Sequence, residues 1–193
     1  LAGDLNADGV DDIAISDRSA RVNGFIGSGI VHIVSGADGS PLRDYVGVPA
    51  VSQGFGSALA ALDADGDGVL DLAVGSPGQA NMVGFGAGAV RVYSGADGSL
   101  LSNAAGTTGS QLGVSLANAG DQNGDGLDDL YAGAPNANSS LGAVFVTSGA
   151  DGSLLRTIPA PTSVSSFGVT LGALGDVDSD GRPDLAVGAP GFR

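Results

Sequence analysis

The sequence predicts an all-β protein assembled from repeated units of four antiparallel strands, the architecture of β-propeller blades. Three observations carry that expectation. Acidic, glycine-containing loops recur roughly 55 to 60 residues apart. A hexapeptide, Ser-Gly-Ala-Asp-Gly-Ser, recurs between them at Ser35–Ser40, Ser94–Ser99 and Ser148–Ser153. Thirty-five glycines and eight prolines in 193 residues supply the turns that many short strands require.

Each element of the unit follows in order. After the acidic loop comes a short apolar run, Leu72-Ala73-Val74 in the second copy and Leu185-Ala186-Val187 in the fourth, closed by glycine and proline. Such runs are too short for helices and are bounded by turn residues. An alternating strand follows at residues 30–34, 89–93 and 143–147. Its period of two places Val31 and Ile33, Val90 and Val92, Val144 and Val146 on one face. The Asp-Gly of the hexapeptide marks a hairpin turn, leading to a fourth strand at Leu42, Leu100-Leu101 or Leu154-Leu155. A third marker, Phe55-Gly56, Leu112-Gly113 and Phe167-Gly168, precedes the next acidic loop, and the strand through it opens the next unit. Ser57 to Leu62 has some helix propensity. Its counterpart Val169-Thr170-Leu171-Gly172 has none, so both are read as strands. The chain is one region, residues 1–193, with units at about 1–50, 51–106 and 107–162 and a partial unit at 163–193. A parallel β-helix calcium repeat has a much shorter period and is rejected.

The charge is distributed unusually. All 21 acidic residues are Asp and all seven basic residues are Arg, for a net charge of −14. That balance argues against nucleic acid or anionic lipid as partner, since both demand basic patches. With no cysteine there is neither a disulfide framework nor thiolate chemistry. No apolar run approaches the roughly 20 residues needed to span a bilayer, and no signal peptide is visible. The sequence starts at Leu1 and reads as a processed or excised piece.

The acidic loops read DLNADGVDD, DADGDGVLD, DQNGDGLDD and DVDSDGRPD. Side-chain oxygens fall at positions 1, 3, 5 and 9: Asp4, Asn6, Asp8 and Asp12; Asp63, Asp65, Asp67 and Asp71; Asp121, Asn123, Asp125 and Asp129; Asp176, Asp178, Asp180 and Asp184. Alternate spacing lets short side chains converge as the backbone curls. Calcium takes six to eight hard oxygens, so the backbone carbonyl at position 7, from Val10, Val69, Leu127 or Arg182, is the expected further ligand. Position 6 is glycine throughout, Gly9, Gly68, Gly126 and Gly181, as a sharp turn requires. A helix-loop-helix calcium site would close with a bidentate Glu at position 12, and this chain has no Glu. Solvated Asp-Gly turns would explain one such loop; four at regular spacing call for metal. Three or four carboxylates in nine residues repel one another without a counter-charge. About four structural Ca²⁺ ions would offset more than half of the net charge of −14. Since each loop belongs to its own unit, the sites are expected to be near-equivalent and independent.

Phe-Gly, the calcium loop and Gly-Ala-Pro together resemble the FG-GAP repeat of integrin α-subunit propellers and of many bacterial surface proteins. Gly-Ala-Pro stands at Gly133-Ala134-Pro135 and Gly188-Ala189-Pro190, with Gly75-Ser76-Pro77 in the second copy. The first copy has Ser16-Asp17-Arg18 there, and Leu112 replaces the phenylalanine in the third. The resemblance covers nearly the whole chain and implies about three and a half FG-GAP repeats of a seven-bladed β-propeller. It places the loops between the first and second strands of a blade, binding calcium structurally. It also implies an extracellular or cell-surface module for recognition of, or adhesion to, a protein or glycan. The alternatives are an accessory domain of a secreted enzyme and a structural subunit of a surface layer or filament. Because three and a half units cannot close an ordinary ring, the terminal blades are expected either to self-associate or to fold beside further blades.

Nothing in the chain points to catalysis. The single histidine, His32, has Arg91 and Phe145 as counterparts and reads as a strand-surface residue. No Ser, His and Asp spacing supports a nucleophile. Tyr45, Tyr93 and Tyr131 read as packing residues, and Arg18, Arg21, Arg43, Arg91 and Arg156 are too scattered to form a basic patch.

Overall fold

The computed structural model describes residues 2–50, 53–80, 86–162, 164–179 and 181–192. It is nearly all β and consists of successive antiparallel propeller blades. The first blade is a three-stranded sheet of β1 (Ile13–Asp17), β2 (Ile30–Val34) and β3 (Pro41–Val46). The second runs in order through β4 (Leu59–Leu62), β5 (Asp71–Ser76), β6 (Ala89–Tyr93) and β7 (Leu100–Ala105). The third repeats that order with β8 (Leu116–Gly120), β9 (Asp129–Ala134), β10 (Ala143–Thr147) and β11 (Leu154–Pro159). The fourth pairs β13 (Thr170–Gly175) with β14 (Asp184–Gly188), while β12 (Val164–Ser165) pairs with β15 (Gly191–Phe192).

Alternation locates β2, β6 and β10, and the apolar residues named for one face are all buried. The hexapeptides form three closely similar hairpins. Gly39, Gly98 and Gly152 each donate to the carbonyl of the first serine at 2.8–2.9 Å. Asp38, Asp97 and Asp151 each accept the N–H two residues on at 2.7–2.8 Å. Serine hydrogen bonds hold all three of these exposed carboxyls below the usual carboxylate range.

One expectation is corrected, and one element is added. Phe55-Gly56 does not lie within the inner strand; it forms the turn before β4, which is confined to Leu59–Leu62. Gly56 there has φ +87° and donates to the Gly75 carbonyl at 3.0 Å, a backbone conformation suited to glycine. The segment 137–140 was not anticipated as an element. It is one helical turn in which Asn138, Ser139 and Ser140 have φ of 52°, 59° and 68°.

Neighbouring blades pack face to face. Val31, Ile33 and Tyr45 of the first meet Leu72 and Val74 of the second. Val90, Val92 and Leu62 meet Leu130 and Ala132 of the third. Tyr131, Val144 and Val146 meet Leu171, Leu185 and Val187 of the fourth. At the Gly-Ala-Pro position a Cβ on Gly75 would run into the carbonyl oxygen of Gly113, and one on Gly133 into that of Gly168. Gly75 and Gly133 thus receive the Phe-Gly turn of the following blade. Where the first copy has Ser16, it faces Gly56 of the second blade.

Candidate metal centres

The loops at 63–71, 121–129 and 176–184 join the first and second strands of their blades, and the loop at 4–12 precedes β1. Among the described residues the four loops share the bonds of positions 1 and 9, and the first three share those of positions 3 and 5 as well. The position-1 carboxylate accepts the N–H of the position-6 glycine: Asp4 from Gly9 at 2.8 Å, Asp63 from Gly68 at 3.2 Å, Asp121 from Gly126 and Asp176 from Gly181 at 2.9 Å. These glycines have φ of 83–90°, as the sequence requires. Position 3 accepts the N–H of position 5, with Asn6, Asp65 and Asn123 each bonded at 2.8–3.1 Å. Position 5 accepts the N–H of position 7: Asp8 from Val10, Asp67 from Val69 and Asp125 from Leu127. Asp180 lies outside the described residues. Position 4 is also left-handed in every loop, at Ala7, Gly66, Gly124 and Ser179. The sequence does not reveal this, since only two of the four are glycine.

The position-9 aspartate anchors each loop to its blade. Asp12, Asp71 and Asp129 are 0–1% exposed. One oxygen accepts the position-2 N–H at 2.8 Å, from Leu5, Ala64, Gln122 and, for Asp184, Val177. In the first three loops the other oxygen accepts the hexapeptide glycine: Gly36 at 3.1 Å, Gly95 at 2.9 Å and Gly149 at 3.3 Å. These glycines are the site residues that sequence reasoning missed. Their signal was present, because the hexapeptide recurs in step with the loop.

Convergence is clearest in two loops. Carboxylate oxygens of Asp63, Asp65 and Asp71 lie within 4.8 Å of one another, as do those of Asp176, Asp178 and Asp184. In the first and third loops Asn6 and Asn123 take the place of Asp65 and Asp178 at position 3. Burial, and then the charges of Asp65 and Asp67, push the Asp71 carboxyl up to about 6, against two main-chain N–H bonds that favour its anion. Burial pushes Asp129 the same way. Main-chain N–H groups from Gly126 and Gly124 hold Asp121 low. A hard divalent cation fits this donor set: all the side-chain donors are oxygens, and its charge would relieve the repulsion that makes ionised Asp71 unfavourable.

The second and third loops are tied together. Asp128, at position 8, donates its N–H to the Asp63 carbonyl at 2.9 Å. Its carboxylate accepts the Asp63 N–H at 3.1 Å and the Asn118 amide at 2.8 Å. Leu70 and Pro183 occupy that position in the second and fourth loops and lie beside Gly3 and Gly120 respectively. Strict independence of the four loops is therefore not built into the backbone.

Of the other candidates, the tyrosines pack and His32 lies at the strand surface. His32 lies on the exposed face of β2, 2.7 Å from Asp44. Tyr45 stacks on Tyr93 at 4.5 Å, and Tyr131 donates to the Pro183 carbonyl at 3.3 Å. Among the described residues no helix is long and apolar enough to cross a membrane.

The family model described as FG-GAP repeat matches residues 55–93, 112–147 and 167–193. Integrin alpha-3 of Cricetulus griseus is 34% identical over 179 residues, covering 83% of this chain and 17% of that protein. Integrin alpha-PS5 of Drosophila melanogaster is 33% identical over 151 residues, covering 71% and 15%. Integrin alpha-11 of Homo sapiens is 36% identical over 152 residues, covering 71% and 12%. The chain thus spans less than a fifth of the length of these relatives. Among solved structures, the exotype rhamnogalacturonan lyase YesX superposes with a TM-score of 0.58 at 16% identity, covering 96% of this chain and 37% of that one. At that identity the likeness concerns the fold alone.

Proposed function

This chain belongs to the FG-GAP repeat family, and on that premise we propose that it is an extracellular, calcium-stabilised propeller module that recognises a protein or a glycan. Its relation to integrin α chains supports an adhesion or recognition role over catalysis. Each loop would hold one Ca²⁺ through positions 1, 3, 5 and 9 and the position-7 carbonyl. The residues are Asp4, Asn6, Asp8, Val10 and Asp12; Asp63, Asp65, Asp67, Val69 and Asp71; Asp121, Asn123, Asp125, Leu127 and Asp129; Asp176, Asp178, Asp180, Arg182 and Asp184. The ion would supply counter-charge and staple each loop to its blade. It takes no part in a reaction.

The observation that carries this reading is the convergence of Asp63, Asp65 and the buried Asp71. Hydrogen bonds from main-chain N–H groups hold these side chains in place. Calcium is favoured over magnesium, which gives up water reluctantly and is seldom held in an all-protein cage.

Equilibrium dialysis tests the assignment. Wild type is expected to bind about four calcium ions per chain. Asp65→Ala should lose the second site, weaken the third through Asp128, and leave the first and fourth unchanged. A folded wild type that retains no calcium contradicts the metal reading, whereas loss of every site in folded Asp65→Ala contradicts one site per loop. Glycan and protein arrays probed with and without calcium test recognition: a calcium-dependent ligand supports it, and no ligand in either condition counts against it.

A further inference from the structure

Between the second and third blades lies a half-open cavity of about 370 Å³, and the repeat itself shows what is missing from it. In the interface between the first and second blades the equivalent space is filled by aromatic rings. Tyr45 and Tyr93 stack with centroids 4.5 Å apart, and Phe55 meets Tyr93 edge-on at 6.3 Å. Strand register aligns the two interfaces. Tyr45 pairs with Val31 as Ala104 pairs with Val90. Tyr93 pairs with Leu72 as Thr147 pairs with Leu130. Phe55 of the Phe-Gly turn corresponds to Leu112. Ala104, Thr147 and Leu112 all line the cavity. Three aromatic side chains have been replaced by small or aliphatic ones, and the surrounding blades have not closed the gap.

The remaining walls suit an aromatic guest. Phe145 stands where the second blade has Arg91 and offers a ring for stacking. Thr107, Asn138 and Thr157 add hydrogen-bonding groups at the lining. In the filled interface the Tyr45 hydroxyl has comparable partners, accepting from Arg43 at 3.1 Å and donating to the Ser94 carbonyl at 3.4 Å. From this correspondence we propose that the cavity is a binding site for a single phenol-type aromatic ring, seated against Phe145 with its hydroxyl among the threonines and Asn138. Pockets of this size with an apolar body and a few polar groups are the usual form of small-ligand sites. The inference does not depend on metal in the loops.

The probe is p-cresol, the tyrosine side chain as a free molecule, titrated into the folded chain in calcium-containing buffer and followed by amide NMR. Saturable shifts are expected at Ala104, Phe145 and Thr147. The saturated analogue 4-methylcyclohexanol should bind about fivefold more weakly, because stacking favours the aromatic ring. Thr147→Tyr places a ring where the second blade has one; it should abolish the shifts and raise the melting temperature. Ala104→Leu, a smaller filler, serves if that variant does not fold. Absence of shifts in folded wild type overturns the proposal. So do equal binding of the two probes and shifts that persist in a folded, filled variant. A tyrosine-containing peptide binding as tightly as p-cresol would identify a partner's side chain as the source of the ring; weaker binding would identify a free small molecule.

Discussion

Stripped of calcium by a chelator, the protein should melt tens of degrees lower and recover fully when calcium is returned. Extracellular calcium modules bind at about 10⁻⁴ to 10⁻³ M. At a hundredfold excess over Kd each site adds about 2.7 kcal/mol by mass action, and four add about 11 kcal/mol. That is comparable to the entire stability of an ordinary domain, about 5–15 kcal/mol. Without the ion, each loop presents three or four carboxylates whose repulsion opposes the fold, and burial of Asp71 and Asp129 makes their ionisation unfavourable. Magnesium at equal concentration should restore less of the loss. Thermal melts followed by circular dichroism read this directly, and an unchanged curve in chelator would mean that the loops are ordinary Asp-Gly turns.

The second large effect concerns the seam between blades. Gly133→Val is expected to destabilise by about 3 kcal/mol, at the upper end of the cost of overpacking a core. The new Cβ would meet both the Gly168 carbonyl oxygen and the Ser115 hydroxyl, which are already bonded to each other at 2.7 Å in a buried setting. Backbone from two blades meets there, so turning the Ser115 side chain aside would not relieve the clash with the Gly168 carbonyl. For a chain of this length that loss corresponds to a fall of about 6–12 °C in melting temperature. Gly172→Ala is the control: nothing lies within 4 Å of its Cβ position, and the variant should melt within about 2 °C of wild type. Equal effects at the two positions would mean that the glycine of Gly-Ala-Pro is not retained for close approach between blades.

Much of this was legible in the sequence because repetition converts weak local signals into strong ones. One alternating run such as Ala89 to Tyr93 is ambiguous; three in register with an Asp-Gly hairpin are not. The shared spacing of the acidic loops was legible for the same reason. What stayed hidden depended on contacts between units. No local pattern shows that Phe55-Gly56 is a turn, since its conformation answers to the Gly75 carbonyl. The Asp128 strut answers to Asp63 of the neighbouring blade, and among the described residues the left-handed turn at 137–140 is not repeated, so repetition did not reveal them. The cavity is an intermediate case. Its signal, Tyr45 and Tyr93 giving way to Ala104 and Thr147, is visible once the repeats are aligned. Its meaning appears only when strand register shows that those positions face the same interface.

Crystals grown in calcium and measured at a wavelength where the ion scatters anomalously test the central claim most directly. The expected result is one anomalous peak in each of the four loops. Each should lie about 2.3–2.6 Å from oxygens of positions 1, 3, 5 and 9 and from the position-7 carbonyl, with Asp63, Asp65, Asp67, Val69 and Asp71 forming the second site. Loops that keep their fold and show no peak in saturating calcium would contradict it.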